Sequence, residues 1–580
     1  MRLLFAALLA GLLALSAPAR ADDLATVIAD YDAFQAWSDP LWSAPPEDRE
    51  ALARLPDVTP AVDARRAQTL ADLQRRLEAL PAAGLDPEAR LNRDVLSWLI
   101  AAEREQLAFD IARMPFSSDG GFHTTFVYLP HRAPMTSRAD VAAWISRLEA
   151  APGFWRDHIA NARRGVASGF VQPRTTAQAV LDQAREMAAA PVEGDAALAP
   201  FDRLPEALSA QEKAQARARG IAAVAELRRA QAEFAAFLET EYLPAARDGL
   251  AARDLPDGAR FYAAEVRRHT TTDLTPEEIH QIGLSEVARI RGEMVAIKDE
   301  VGFEGDLAAF IASLRADPKF HAQSREALLE KASEIAKRID GELPAWFATL
   351  PRLPYGVRPV PAQIEAGYTT GRYLQGDPER GVAGTYLVNT SALDQRPLYE
   401  LPALTLHEAV PGHHLQIALA QELEAVPDFR RQAGMSAFVE GWGLYAEKLG
   451  GEMGVYRDPY ERFGRLSYEM WRACRLVADT GLHWKRWSLD QARACFAENT
   501  ALSPLNIEVE LARYVSWPGQ ALAYKVGELK IVELREQARA ELGEAFDIRR
   551  FHDAVLLAGA LPLDLLEARI EAWIAAEATD

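Results

Sequence analysis

Pro411 constrains the local fold of this chain more than any other single residue. It sits in Leu406–Gln416, LHEAVPGHHLQ, which holds three of the chain's eleven histidines and a glutamate beside the first of them. Proline has no N–H to bond back to the carbonyl of His407, and its ring presses on that turn. Gly412 adds backbone freedom just after it. A straight helix through the stretch is therefore excluded. On such a helix, at roughly 100° per residue, His414 would share a face with His407 and His413 would not. A bulge that absorbs two residues brings His413 to that place instead. Geometry alone leaves the partner of His407 open between His413 and His414.

Imidazoles grouped beside a carboxylate point to a divalent metal, usually zinc, next to a group that activates water. The common zinc-hydrolase signature is H-E-x-x-H on a helix. His407 and Glu408 fit it, and Pro411 stands where the second histidine would be. Glu408 is the expected general base. The expected third ligand is Glu440, in Ser436–Glu447, SAFVEGWGLYAE. A lone carboxylate in an otherwise apolar helix is costly unless it is paired or bound to metal. Glu447, two turns later on the same face, either orients a ligating histidine through its other ring nitrogen or pairs with Lys448 or another cation at the surface. Gly441 and Gly443 would let this helix pack closely on the metal helix.

Two motifs, His407-Glu408-x-x-Pro411-Gly412-His413 and Phe438-x-Glu440-Gly441-Trp442-x-x-Tyr445-Ala446-Glu447, together resemble a bacterial family known as domain of unknown function number eight-eight-five. That family is grouped with the zincin metallopeptidases whose third ligand is a glutamate. The likeness covers most of the mature chain, most strongly from about Tyr368 to Arg535. It implies a zincin-like fold and a peptidase class. Because the family's motif ends on the histidine after Pro-Gly, it also implies that His413 is the second ligand. A further likeness is confined to Leu511–Lys530, LARYVSWPGQALAYKVGELK. Arg513-Tyr514 ahead of an apolar helix resembles the angiotensin-converting-enzyme class of zinc peptidases, where a tyrosine at this point stabilises the tetrahedral oxyanion. Carried over, Tyr514 is the phenol donor and Arg513 a supporting or substrate-carboxylate group. Pro518-Gly519 departs from that pattern and leaves Tyr524 as the rival phenol.

The rest of the chain is expected to be mostly α. Its Ala, Leu, Glu and Arg content favours helix, and Ala67–Leu80, Leu91–Ala112 and Gln211–Ala246 space apolar residues three and four apart. Thr275-Pro276-Glu277-Glu278 marks a capped helix start running to about Asp299, and another helix spans about Ser324–Ile339. Phe126–Leu129, after the Gly120-Gly121 break, is expected as a short strand, His123 as a loop histidine or one that reaches the cleft, and Pro344–Pro361 as extended or turning chain. Gly367–Ser391 has the clearest strand composition. Within it Thr385–Asn389 alternates, which makes Tyr386 a candidate substrate contact. An edge strand beside a metal helix can pair with substrate backbone, or the segment can be a purely structural hairpin. Arg472, Arg475, Asp479 and His483 recur at helical spacing. Arg475 and Asp479 suit an intrahelical ion pair, and His483 is a candidate hydrogen-bond donor to substrate.

Met1–Ala21 has the build of a secretory signal: Arg2, an apolar run Leu3–Leu15 short for a membrane span, and Ala19-Arg20-Ala21 as cleavage site. The expected mature chain, 22–580, is periplasmic or secreted, with a helical N-terminal lobe (22–270) and a catalytic part (271–580) around a deep cleft. The net charge of −20 argues against nucleic acid and anionic membrane surfaces as partners. Cys474 and Cys495 match no metal or redox spacing. In an oxidising compartment they can pair, or they are two buried thiols. The expectation is thus a large helical, zincin-like metallopeptidase with a small β element beside the metal helix, secreted and hydrolysing short peptides with zinc. A metal hydrolase of another amide or ester is one alternative. A catalytically silent peptide-binding relative is another, against which an intact Glu408 argues.

Overall fold

The computed structural model describes residues 21–579 except 46, 47, 82, 362–364, 366, 367, 379 and 380. The expected signal segment lies outside the described residues apart from its last position. Among the described residues helices dominate, joined by one three-stranded sheet, so the chain is mostly α. The amphipathic windows are the helices Pro60–Ala79, Pro87–Phe109 and Ala210–Phe237. Thr275 caps Pro276–Glu300 as its sequence predicts. Its hydroxyl accepts from the Glu278 N–H at 3.2 Å, and the Glu278 carboxylate accepts from the Thr275 N–H at 2.8 Å.

Two local expectations are overturned. Thr125–Tyr128 is a helical turn, not a strand, with Phe126 buried against Trp144. Packing outranks strand propensity in so short a run. The helix Arg325–Trp346 runs through Pro344 near its end, because the following turn still closes, with the Phe347 N–H on the Leu343 carbonyl at 2.9 Å.

The sheet comprises β1 (Tyr355–Pro359), β2 (Gly371–Leu374) and β3 (Gly384–Val388) in the order β1-β3-β2. β1 runs parallel to β3 and β2 antiparallel to it. The alternating segment is therefore the central strand, and β2 is the edge. Tyr386 on β3 is fully buried, its hydroxyl 3.4 Å from that of Thr405. That position puts it in the core rather than in reach of a substrate.

Hydrophobic packing falls into two clusters. One gathers residues from Phe116 to Ala246, largely on the helices Arg138–Ser168, Arg174–Ala189 and Ala210–Phe237. The other joins Leu24–Phe109 to the later part of the chain as far as Ile574. The packing thus does not divide at residue 270: the leading helices share the core of the C-terminal part. Cys474 and Cys495 form a disulfide between the helices Pro459–His483 and Leu489–Asn499. Among the described residues no helix is long and apolar enough to cross a membrane.

Candidate metal centre

The helix Leu401–Glu408 ends at the motif, and a new helix begins at His413 and runs to Gln421. Between them Ala409 (φ −98, ψ −112) and Gly412 (φ −75, ψ −129) leave helical geometry, and the Val410–Pro411 peptide is cis. The His414 N–H reaches back to the Ala409 carbonyl at 3.0 Å, a five-residue step that closes the bulge. Gly412 is required here, since a Cβ would lie 2.0 Å from the His407 carbonyl oxygen. The bulge sets the His413 ring nearly perpendicular to that of His407, at 82° with centroids 4.6 Å apart. His414 turns away, and both its ring nitrogens are engaged, by the Tyr373 hydroxyl at 3.1 Å and the Leu353 carbonyl at 3.0 Å.

Glu440 arrives on the helix Ser436–Glu452. One of its carboxylate oxygens lies 3.4 Å from His407 Nε2 and 3.5 Å from His413 Nε2. One ligand atom from each of the three residues falls within 4.8 Å of the others. Donors held 2.0–2.1 Å from a tetrahedral zinc would be about 3.3 Å apart, so both donor set and spacing fit such an ion. Two glycines permit the approach. A Cβ on Gly443 would sit 2.7 Å from the His407 ring, and one on Gly441 would sit 2.5 Å from the Gly527 carbonyl carbon in the helix Ala523–Leu542.

Glu447 is buried, with a carboxylate oxygen 2.8 Å from His407 Nδ1 and 3.2 Å from Arg472. The surface pair with Lys448 does not form; Lys448 faces Glu528 at 3.6 Å. Glu447 accepts from Nδ1 and so fixes the ring with Nε2 turned to Glu440. Burial by itself would lower the His407 imidazole, but Glu440, Glu447 and the charge of Glu408 outweigh it and raise it to about 9. Burial likewise opposes ionisation of Glu440, yet the two imidazoles hold it well below the usual carboxylate range. The cluster therefore attracts positive charge, as a cation site must. Glu408 stands outside the triad, and its carboxylate accepts the Tyr373 N–H of β2 at 2.7 Å. This contact leaves no trace in the sequence, because a backbone N–H carries no side-chain signal.

The remaining candidates separate into near and far. Tyr524 stacks beside His407, its ring inclined 17° and centred 6.5 Å away, with the Arg475 guanidinium 4.2 Å over it. The Tyr514 hydroxyl instead donates to Glu510 at 2.7 Å and accepts from Arg475 at 2.8 Å and Trp471 at 3.1 Å. Tyr514 thus braces the arginine that covers Tyr524. Arg513 donates to Gln520 at 2.8 Å. His483 is sealed in the core, its ring nitrogens held by the Ala252 N–H at 3.1 Å and the Tyr514 carbonyl at 2.9 Å. The expected Arg475–Asp479 pair is absent. Arg475 bonds Glu510 at 2.8 Å, while Asp479 accepts from the Tyr262 hydroxyl at 2.6 Å and the Gly519 N–H at 3.1 Å. Helical spacing permits a pair, but partners from other helices win. His123 is buried rather than in an open loop, 3.1 Å from Gln183.

A cavity of about 750 Å³ opens between the two hydrophobic clusters, with Trp42, Trp98, Tyr128, Phe154 and Ser436 in its walls. Ser436 lies one helical turn before Glu440.

A family model described as "Bacterial protein of unknown function (DUF885)" matches residues 47–570. A crystal structure described as that of a candidate lipoprotein from Colwellia psychrerythraea is 28% identical, with a TM-score of 0.90 over 96% of this chain and 98% of that one. A candidate lipoprotein of unknown function from Shewanella oneidensis shares the fold at 18% identity, with a TM-score of 0.71 over 94% of this chain and 99% of that one. A curated protein, the type III pantothenate kinase of Burkholderia cenocepacia, is 33% identical over 122 residues. That match takes in 20% of this chain and spans 37% of the kinase's length, too little to carry an argument about activity.

Proposed function

We propose that this chain, which belongs to the DUF885 family, is an exported zinc-dependent peptidase of zincin-like build that hydrolyses short peptides. The observation that carries this reading is the convergence of His407, His413 and Glu440 with Glu408 beside them but outside the triad. Two imidazoles and a carboxylate are a zinc donor set that leaves a fourth position open. When bound, zinc supplies Lewis acidity, lowering the pKa of water toward about 7 and polarising a carbonyl. From its place at the Tyr373 N–H, Glu408 takes the proton from the attacking water and passes it to the leaving amine.

Tyr524 is the better placed of the two phenols to donate to the developing oxyanion. Burial, reinforced by Glu440, raises its pKa, so the hydroxyl keeps the proton it must donate. The two hydrophobic clusters form the lobes of a cleft, and a cavity of about 750 Å³ suits a small ligand or short peptide better than a folded chain. An exported location agrees with the disulfide and with relatives described as candidate lipoproteins.

The purified protein is expected to carry about one zinc per chain and to lose peptidase activity to chelators, checked by metal analysis and a fluorogenic peptide assay. Full activity after exhaustive metal removal would overturn the reading. A panel that includes esters and non-peptide amides separates the peptidase from a hydrolase of another class. Tyr524→Phe is expected to lower kcat by about a hundredfold with little change in KM, since the phenol acts mainly in the transition state. Tyr514→Phe should perturb kcat less. The opposite ranking would return the oxyanion role to Tyr514.

A further inference from the structure

We propose that Arg372 selects the substrates of this site by pairing with a substrate carboxylate, an inference that rests on the hydrolase reading above. β2 is the sheet's edge, with Gly371 and Tyr373 buried and Arg372 and Leu374 exposed. The Tyr373 N–H is the group that holds Glu408, so Arg372 stands one residue from the anchor of the base. Its guanidinium lies 5.4 Å over the Tyr368 ring. Burial opposes the charge of the guanidinium, and the carboxylates of Asp119 and Glu408 favour it. Tyr128, whose position also bears on Arg372, lines the cavity.

Among the described residues no side chain forms an ion pair or hydrogen bond with Arg372. The other arginines around the centre are taken: Arg472 by Glu447, Arg475 by Glu510 and Tyr514, Arg513 by Gln520. An open guanidinium presents a planar fork of donors matched to a carboxylate. In a chain of net charge −20 an anionic peptide is repelled at long range. Arg372 supplies the local attraction that would keep such a peptide beside Glu408. The carboxylate can be the C-terminus of a short peptide or an Asp or Glu side chain, and the chemistry is the same.

The test uses one apolar fluorogenic peptide as free acid and as C-terminal amide, plus amides carrying Glu or Gln near the scissile bond. The zinc-loaded wild type is expected to prefer a carboxylate-bearing member by about tenfold or more in kcat/KM. Preference for free acid over amide assigns the C-terminus, and preference for Glu over Gln assigns the side chain. Arg372→Gln should erase the preference through KM and leave the neutral amide unchanged, while Arg372→Lys restores part of it. Equal cleavage of charged and neutral peptides by the wild type overturns the proposal. So does an equal loss on every peptide in Arg372→Gln. Binding of the same peptides to metal-stripped wild type, read by fluorescence anisotropy, separates the two readings. Carboxylate-dependent binding without any cleavage sinks the peptidase reading and keeps Arg372 as the selector. Absence of both overturns both.

Discussion

Glu408→Gln is expected to lower turnover by about a hundredfold to ten-thousandfold, the range of general-base contributions, while bound zinc stays near one ion per chain. The two effects separate because Glu408 lies outside the cluster of His407, His413 and Glu440. Glutamine keeps the shape, and its amide oxygen can still accept the Tyr373 N–H that the carboxylate accepts at 2.7 Å. β2 therefore stays where it is, and only the basicity is lost. Turnover on a fluorogenic peptide, with metal analysis of the same preparation, reads both. Cleavage at the parental rate would remove Glu408 from the role of base. Loss of zinc would make it a ligand.

His413→Ala is expected to lose bound zinc and with it all measurable activity, whereas His414→Ala keeps zinc. Removing His413 takes away one of three donors and leaves an open, weakly held site. Removing His414 touches no donor. It leaves the Tyr373 hydroxyl and the Leu353 carbonyl without the imidazole that joins them at 3.1 and 3.0 Å, which costs about 1–3 kcal/mol of stability. Metal content and thermal melting of the two variants decide the matter. Stoichiometric zinc in His413→Ala with metal loss in His414→Ala would mean that the ligand is His414.

The parts of the site that a reader of the sequence could foresee are those that covalent geometry dictates. Pro411 forbids the helical bond to His407 whatever the surroundings, so a break was legible, and the family resemblance chose His413. Gly441 and Gly443, two residues apart on an apolar helix, announced a close approach. What could not be foreseen depends on partners distant in sequence. β3 carries the alternation, but whether it is edge or centre depends on β1, whose proline-flanked residues give no strand signal of their own. Tyr386 is buried for that reason. Tyr514 and Tyr524 both follow Arg513, and only the packing of their two helices tells which phenol lies beside His407. Asp479 had a suitable arginine one turn away and bonds to Tyr262 and Gly519 instead. Spacing along a helix lists possible partners; the surrounding helices select among them.

Three positions in the stack of helices behind the centre leave no room for a side chain. A Cβ on Gly443 would meet the His407 ring at 2.7 Å, one on Gly441 would meet Gly527 at 2.5 Å, and one on Gly527 would fall 1.8 Å from the Ala437 carbonyl oxygen. The helices that carry Glu440 and Tyr524 are thus set at backbone-contact distance, and the His407 ring lies directly on the backbone of the first of them. Any side chain at these contacts would push the helices or the His407 ring aside, so glycine at all three sets their spacing. Trp42 and Tyr128 in the cavity wall stand outside these contacts, so substitution there leaves the three helices where they are. The residues without side chains thus set the spacing of the three helices, and the bulky residues of the cavity wall are free to change what fits there.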